Sequence, residues 1–272
     1  MPETSRRQRE HLYADPLVYD VLHRPGTAGE VRGLIRLAER SLERDGPFHW
    51  LEPASGTGRY LIELGRQGHS GLGLDLSDSM NAFARETAAA AGLAARVRFR
   101  TSRMERFTLS RAGPDARGRF DVAFCPINSL RHLHSDRAML GHFAGVGRAL
   151  RPGGVYLVGL EVMEPACAAP TEDVWTGRAK GLRVHQFVSY LPPEADSRRE
   201  QVVSHLTISH ARPPRVEHRD SRYALRTYTL AQWTGLVERA GWRVMATADA
   251  DGRVTSPRAI GYQLWVLARA GH

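Results

Sequence analysis

Short segments with strand character alternate with helical patterns over roughly the first 160 residues. Residues 27–44 carry apolar side chains at helical spacing, which predicts an amphipathic helix with one face on a core. Strand-like segments that alternate with helical ones are typical of an α/β fold with a mostly parallel, doubly wound sheet. We place these strands at residues 49–52, 71–75, 96–100, 120–125 and 155–161.

A period of two appears in the second half of the chain and predicts a small antiparallel β insertion. Residues 163–177, which include Cys167 and Trp175, are expected to form a loop before it. An insertion at this place suits either a substrate cap or a dimer surface, and the pattern does not choose between them. The three segments with this period are Leu182 to Leu191, Glu200 to Ser209 and Val216 to Tyr228, with proline pairs at 192–193 and 213–214 between them.

The last 44 residues, 229–272, return to the core pattern. Thr229 and Gln232 have the spacing of a capping box, which predicts that a helix begins there. Residues 242–248 and 261–268 then predict two final strands, as an antiparallel hairpin at the sheet edge.

Length and composition are those of a globular, non-membrane protein. The 272 residues can bury a substantial core, and 42% of them are hydrophobic. No apolar run approaches the ~20 residues that span a bilayer, so we expect a cytoplasmic protein that does not enter the membrane. Cys125 and Cys167 have neither the number nor the spacing of a disulfide framework or a metal site, so no metal is expected.

The net charge of +9 raises the question of nucleic-acid binding. Lys180 is the only lysine among the 38 basic residues, and the arginines are spread along the chain instead of forming one block. A solvated basic surface is therefore the favoured interpretation, and a nucleic-acid partner is unlikely.

The segment from His49 to Leu61 predicts a strand, a glycine loop and a helix that together form a ligand site. Gly56 and Gly58 let the backbone turn sharply and approach a bound molecule. A dinucleotide fingerprint needs a third glycine where this chain has Leu61. Glu52, at the strand end, suits a cationic amino group better than a pyrophosphate, which favours S-adenosylmethionine over NAD.

The glycine loop resembles motif I of the class I S-adenosylmethionine-dependent methyltransferases, an acidic residue followed by x-x-x-G-x-G. Asp75 follows the loop by about 20 residues at the end of the next strand, the position that binds a ribose diol. The turn Leu150-Arg151-Pro152-Gly153-Gly154 is another mark of the family. The resemblance covers residues 48–160 and more loosely 228–268, and it implies a seven-stranded sheet with an antiparallel last strand.

This resemblance divides the chain into four parts and assigns the cofactor site. The parts are an N-terminal helical lid with the first helix (1–47), an S-adenosylmethionine-binding core (48–162), the β insertion (163–228) and a C-terminal helix with a hairpin (229–272). Arg103 stands where the family carries an aspartate for the adenine amino group, so the alternative contacts are the backbone of residues 102–104 or the side chain of Glu105. The expected cofactor residues are Tyr13, Tyr19, Glu52, Ala54, Gly56, Gly58, Asp75, Leu76, Met80, Ser102, Arg103, Met104, Cys125 and Asn128.

The polar loop after the fourth strand is expected to face the reactive methyl group. His132 is the first candidate for a general base and Glu161 the second, if the nucleophile carries a proton. A substrate pocket is expected around Asn128, Arg131, His132, Trp175 and Tyr228, with further aromatic side chains at Tyr13, Tyr19 and Tyr190.

The predicted activity is methyl transfer to an O or N atom of a small molecule of natural-product or metabolite type. One alternative is an enzyme of the same fold that cyclises or cleaves S-adenosylmethionine and releases methylthioadenosine. The other is an RNA methyltransferase or a non-catalytic cofactor-binding subunit. A homodimer is compatible with each of these.

Overall fold

The computed structural model describes residues 10–110, 116–164, 168–194 and 197–271. Its larger sheet has eight strands in the order β11-β10-β12-β5-β4-β1-β2-β3. Strands β1 to β5 pair in parallel, whereas β12 is antiparallel to both of its neighbours. These strands are β1 His49–Pro53, β2 Ser70–Asp75, β3 Val97–Thr101, β4 Phe120–Cys125, β5 Leu150–Val162, β10 Trp242–Ala248, β11 Val254–Thr255 and β12 Gly261–Arg269.

Helices cover both faces of this sheet, as its apolar strands require. One core holds Trp50, Val122 and Phe124 under helices α3, α4 and α5. The other holds Leu51, Ala123 and Trp265 under α6 and α7. The helices are α1 Glu10–Tyr13, α2 Pro16–His23, α3 Thr27–Leu42, α4 Arg59–Arg66, α5 Asp78–Ala90, α6 Asp136–Ala149 and α7 Leu230–Arg239, and Ser129–His132 form a 3-10 helix.

A second, four-stranded antiparallel sheet lies between β5 and α7 in the chain. Its inner face packs against the N-terminal helices α1 and α2, the leader helices, where Val18 and Val21 meet Val184 and Leu206. The approach is close, because a Cβ at Gly177 would lie 2.0 Å from the carbonyl oxygen of Val21. The strands are β6 Thr171–Ala179, β7 Leu182–Leu191, β8 Arg199–Ala211 and β9 Pro214–Arg226.

The predicted doubly wound α/β fold with an antiparallel insertion is confirmed, and three details differ. The large sheet has an eighth strand, because residues 254–255 pair with the end of β10. The final hairpin is not wholly at the edge, because β12 lies between β5 and β10. Residues 171–177 are part of β6 and not a loop. This edge strand has nearly all its side chains exposed, so no apolar alternation marks it, and Cys167 lies outside the described residues.

Within the described ranges, no helix is both long and apolar enough to cross a membrane. The same part of the chain holds no group of three or more His, Cys, Asp or Glu side chains placed to bind a metal ion.

Candidate functional site

A cavity of about 1300 Å³ opens at the carboxyl ends of the central parallel strands. Its walls are the leader helices, the glycine loop, the loops after β2, β3 and β4, and the inner face of the second sheet. The volume exceeds the roughly 300–1,000 Å³ of a typical single-ligand pocket, so it accommodates a cofactor beside a second molecule.

The backbone of the glycine loop adopts a conformation that residues with a Cβ atom rarely take. Ala54, Gly56 and Gly58 all have positive φ, at 59°, 53° and 70°. A Cβ at Gly58 would lie 2.4 Å from the Phe99 ring, and one at Gly56 would lie 3.5 Å from the Tyr19 ring. The loop can therefore pack tightly on the core behind it while Gly56 faces the cavity.

Asp75 joins the glycine loop to the loop after β2. One carboxylate oxygen accepts from the Gly56 N–H at 2.8 Å and the other accepts from the Ser77 N–H at 2.9 Å. Burial raises the pKa of Asp75, and these backbone bonds oppose the rise. The side chain borders the cavity, and each oxygen keeps a second lone pair for a ribose hydroxyl.

Glu52 and Arg59 provide opposite charges beside the glycine loop. Glu52 is 2% exposed, its Oε2 has no hydrogen-bond partner, and burial raises its pKa well above the usual range while Arg59 opposes the rise. Arg59 borders the cavity and donates to Glu30 at 2.9 Å and to Thr27 at 2.6 Å. The Arg59 guanidinium at the wall fits the carboxylate of an amino-acid group such as that of S-adenosylmethionine, and the unpartnered oxygen of Glu52 lies in the layer directly behind that wall.

The loop after β3 forms the far wall of this half of the cavity. Ser102, Arg103 and Met104 border it, as do the exposed Leu76 and the buried Met80. The guanidinium of Arg103 pairs with Glu105, and both side chains border the cavity where the family carries an aspartate for the adenine amino group.

Aromatic rings line the half of the cavity under the second sheet. The Tyr13 hydroxyl lies 3.5 Å from His132 Nε2, and the His132 ring stacks on Tyr223 at a centroid distance of 5.7 Å. On the other side, His23 lies between Tyr19 and Trp175 at centroid distances of 4.4 and 5.8 Å. Burial, with Arg59 nearby, lowers the pKa of His23 to about 4, so this ring is neutral at physiological pH.

Carboxylates form the polar part of the same half. Glu161, Asp173 and Glu200 border the cavity. The pKa of Glu161 is raised by burial and by the two other carboxylates, and Arg131 opposes the rise. The Asn128 side chain accepts from the Glu161 N–H at 2.8 Å and so fixes the backbone that carries this carboxylate.

Arg131 is not a cavity residue, contrary to the prediction that it contacts substrate. Its side chain is 1% exposed and donates to Glu161 at 3.1 Å, to Glu200, and to the Arg226 carbonyl oxygen at 2.9 Å. Two carboxylates thus share one buried guanidinium, and the cluster keeps an excess negative charge.

Most of the predicted site residues meet at this cavity, but five do not border it. Tyr228 was predicted to contact substrate, but it is 1% exposed and packs on Trp233 in the core. Glu52, Gly58 and Cys125 lie in the layer behind the wall, as does Arg131. Those that border it are Tyr13, Tyr19, Ala54, Gly56, Asp75, Leu76, Met80, Ser102, Arg103, Met104, Asn128, His132, Glu161 and Trp175.

The sequence reasoning missed several wall residues, and two carried a usable signal. Arg59 follows Gly58 at the start of a helix, where the dipole disfavours a cation, so a charged partner or ligand was to be expected. Tyr223 shares a strand face with Leu225, as the period of two implies. His23, Asp173 and Glu200 carried no such signal.

Comparisons with known proteins bear on the domain and the fold of this chain. The family model described as a methyltransferase domain matches residues 51–154. A search of curated proteins found no match.

Solved structures share the fold over most of the chain. One is an S-adenosylmethionine-dependent methyltransferase from Clostridium acetobutylicum ATCC 824, with 14% identity, TM-score 0.72, and 94% of this chain and 97% of the other covered. A sugar N-methyltransferase from Streptoalloteichus sp. ATCC 53650 has 21% identity, TM-score 0.68, and coverages of 93% and 92%. An S-adenosylmethionine-bound amino pentose methyltransferase from Micromonospora echinaspora has 19% identity, TM-score 0.62, and coverages of 89% and 90%.

Proposed function

We propose that this chain, an S-adenosylmethionine-dependent methyltransferase of class I by its matched domain and its fold, methylates an amine nitrogen of a small molecule. When bound, the cofactor supplies a methyl group activated by the sulfonium. The choice of an amine as the acceptor rests on the half of the cavity that carboxylates and aromatic rings line.

The carboxylates of Glu161, Asp173 and Glu200 favour a cation. Among the residues that the structure describes, only Arg131 forms ion pairs with this cluster, so negative charge is in excess where an acceptor would enter. An aliphatic amine is an ammonium ion at neutral pH, and carboxylates with nearby tyrosine faces attract ammonium ions. A neutral alcohol would gain little from this wall.

The structural neighbours support the same acceptor class. Proteins of this fold include a sugar N-methyltransferase and an amino pentose methyltransferase. At 21% and 19% sequence identity, these two proteins share a fold with this chain. That this chain also acts on an amine is our proposal.

An ammonium acceptor must lose a proton before its nitrogen can bond to carbon. Glu161, whose pKa is raised by burial, can hold the ammonium and take up that proton. His132 is the other base, since its ring borders the cavity beside Tyr13 and Tyr223. We infer that the inner face of the second sheet is a substrate cap, because Trp175, Tyr190 and Tyr223 on it border the cavity.

The test compares amines with matched alcohols. The purified protein is incubated with S-adenosylmethionine alone, and then with pairs of amino sugars and the parent sugars. Products are followed by mass spectrometry. We expect S-adenosylhomocysteine only when an amine is present. Equal methylation of the alcohols would contradict the amine proposal, and methylthioadenosine without any acceptor would establish the cyclase or lyase alternative.

The base is tested separately with His132→Ala and Glu161→Gln. The variant that lacks the catalytic base should have a much lower kcat than the wild type. Its affinity for S-adenosylhomocysteine, measured by calorimetry, should change far less. Unchanged kcat in one variant removes that residue from the mechanism. RNA as an acceptor would require RNA affinity that falls steeply with salt, and its absence would exclude that alternative.

A further inference from the structure

His142 is a buried polar residue directly behind the loop after β3. It lies on α6, is 0% exposed, and bonds through Nδ1 to the Met104 carbonyl oxygen at 2.8 Å. Its Nε2 lies 2.7 Å from the Tyr156 hydroxyl on β5. One imidazole therefore connects a helix, a central strand and the cavity wall.

The protonation state of this ring follows from its partners. A carbonyl oxygen can only accept, so Nδ1 carries the proton and donates to Met104. Burial lowers the pKa of His142 to about 4, so the ring is neutral at physiological pH. Nε2 must then accept from the Tyr156 hydroxyl. The histidine is held as a single tautomer that points one N–H at the loop.

Two further contacts hold the ends of the loop that His142 supports. The Ser102 N–H donates to the Asp75 carbonyl oxygen at 2.9 Å, which fixes the start of the loop. At the other end α6 approaches closely, because a Cβ at Gly141 would lie 2.6 Å from the Glu105 carbonyl oxygen. Met104 lies between these points, and its carbonyl is turned away from the cavity by the bond to His142.

This loop is next to the ribose site. It follows β3, which pairs with β2, and β2 carries Asp75. Arg103 and Glu105 are paired with each other at the cavity wall, and the backbone near Met104 lies beside them where it can recognise a base edge.

We propose that His142 is a positioning residue for the adenine of the cofactor: through Met104 it holds the backbone that distinguishes adenine from other bases. It touches no reacting atom. The proposal rests on the assignment of S-adenosylmethionine and is independent of the acceptor.

The test measures binding and not turnover. Calorimetry compares S-adenosylhomocysteine with S-inosylhomocysteine, in which the adenine amino group is replaced by a carbonyl, for the wild type and three variants. His142→Asn keeps a donor near Nδ1, His142→Gln keeps a polar group near Nε2, and His142→Leu keeps neither. Thermal unfolding is recorded for each protein.

We expect His142→Leu and His142→Gln to lose between about threefold and tenfold of the preference for S-adenosylhomocysteine, the value of one neutral hydrogen bond. His142→Asn should recover most of that preference. Lower melting temperatures with an unchanged preference in all variants would overturn the proposal and leave His142 as a core residue. If His142→Leu does not fold, the Asn and Gln pair decides alone. Failure of the wild type to bind S-adenosylhomocysteine would instead contradict the cofactor assignment.

Discussion

Replacement of Arg131 by methionine tests the charge cluster on which the acceptor proposal depends. The guanidinium is 1% exposed, and its loss leaves Glu161 and the 7% exposed Glu200 without their cation and the Arg226 carbonyl without its donor. Removing one partner of a buried ion pair costs about 3–5 kcal/mol. At roughly 2–4 °C per kcal/mol for a chain of this size, the melting temperature should fall by about 10 °C.

The assay is urea unfolding followed by tryptophan fluorescence, with thermal melts in parallel. Arg66→Met is the matched control, because Arg66 is 48% exposed and pairs with Glu63 on the surface, so it should cost at most about 1 kcal/mol. Adding Glu200→Gln to Arg131→Met removes one uncompensated carboxylate and should recover at least half of the lost stability.

Two results would refute this reasoning about Arg131. One is a loss in Arg131→Met no larger than that in Arg66→Met. The other is a double variant that is no more stable than Arg131→Met alone. That result would mean that the unpaired carboxylates do not cause the loss of stability.

Three further outcomes are expected. Gly58→Ala should destabilise the protein by about 2–5 kcal/mol, because the residue has positive φ and its Cβ would meet the Phe99 ring. The control Gly68→Ala also has positive φ but no atom within 4 Å of its Cβ, so it should cost only about 1–2 kcal/mol. Equal denaturation midpoints for the two variants would contradict this. Asp75→Asn should weaken S-adenosylhomocysteine binding about 10- to 100-fold in calorimetry, since it removes charged hydrogen bonds; unchanged affinity would exclude Asp75 from the ribose site. The ratio of kcat/KM between wild type and Glu161→Gln should fall towards one as the pH drops through the raised pKa of Glu161, because the carboxylate then loses its charge; a ratio constant with pH would exclude a charged role.

The sequence by itself determined the elements whose cause is local. The glycine loop is such a case, because its two glycines have positive φ, which other residues disfavour. The capping box at Thr229 and Gln232 is another, because both hydrogen bonds form within four residues. Asp75 was placed correctly because it ends one parallel strand next to another, and such strand ends share one edge of the sheet.

The acceptor half of the cavity was decided by tertiary structure alone. Arg131 was expected to face substrate, but it is covered because Glu200 and the Arg226 carbonyl reach it from strands some 70 and 95 positions away in the chain. Tyr228 is buried for a similar reason, since it belongs to the core cluster that holds Ala123 of β4 and Tyr156 of β5, both far from it in the chain. Local pattern reports which residues are polar or apolar. Which charges compensate each other, and which remain to face a ligand, depends on contacts between distant segments that only the packed chain brings together.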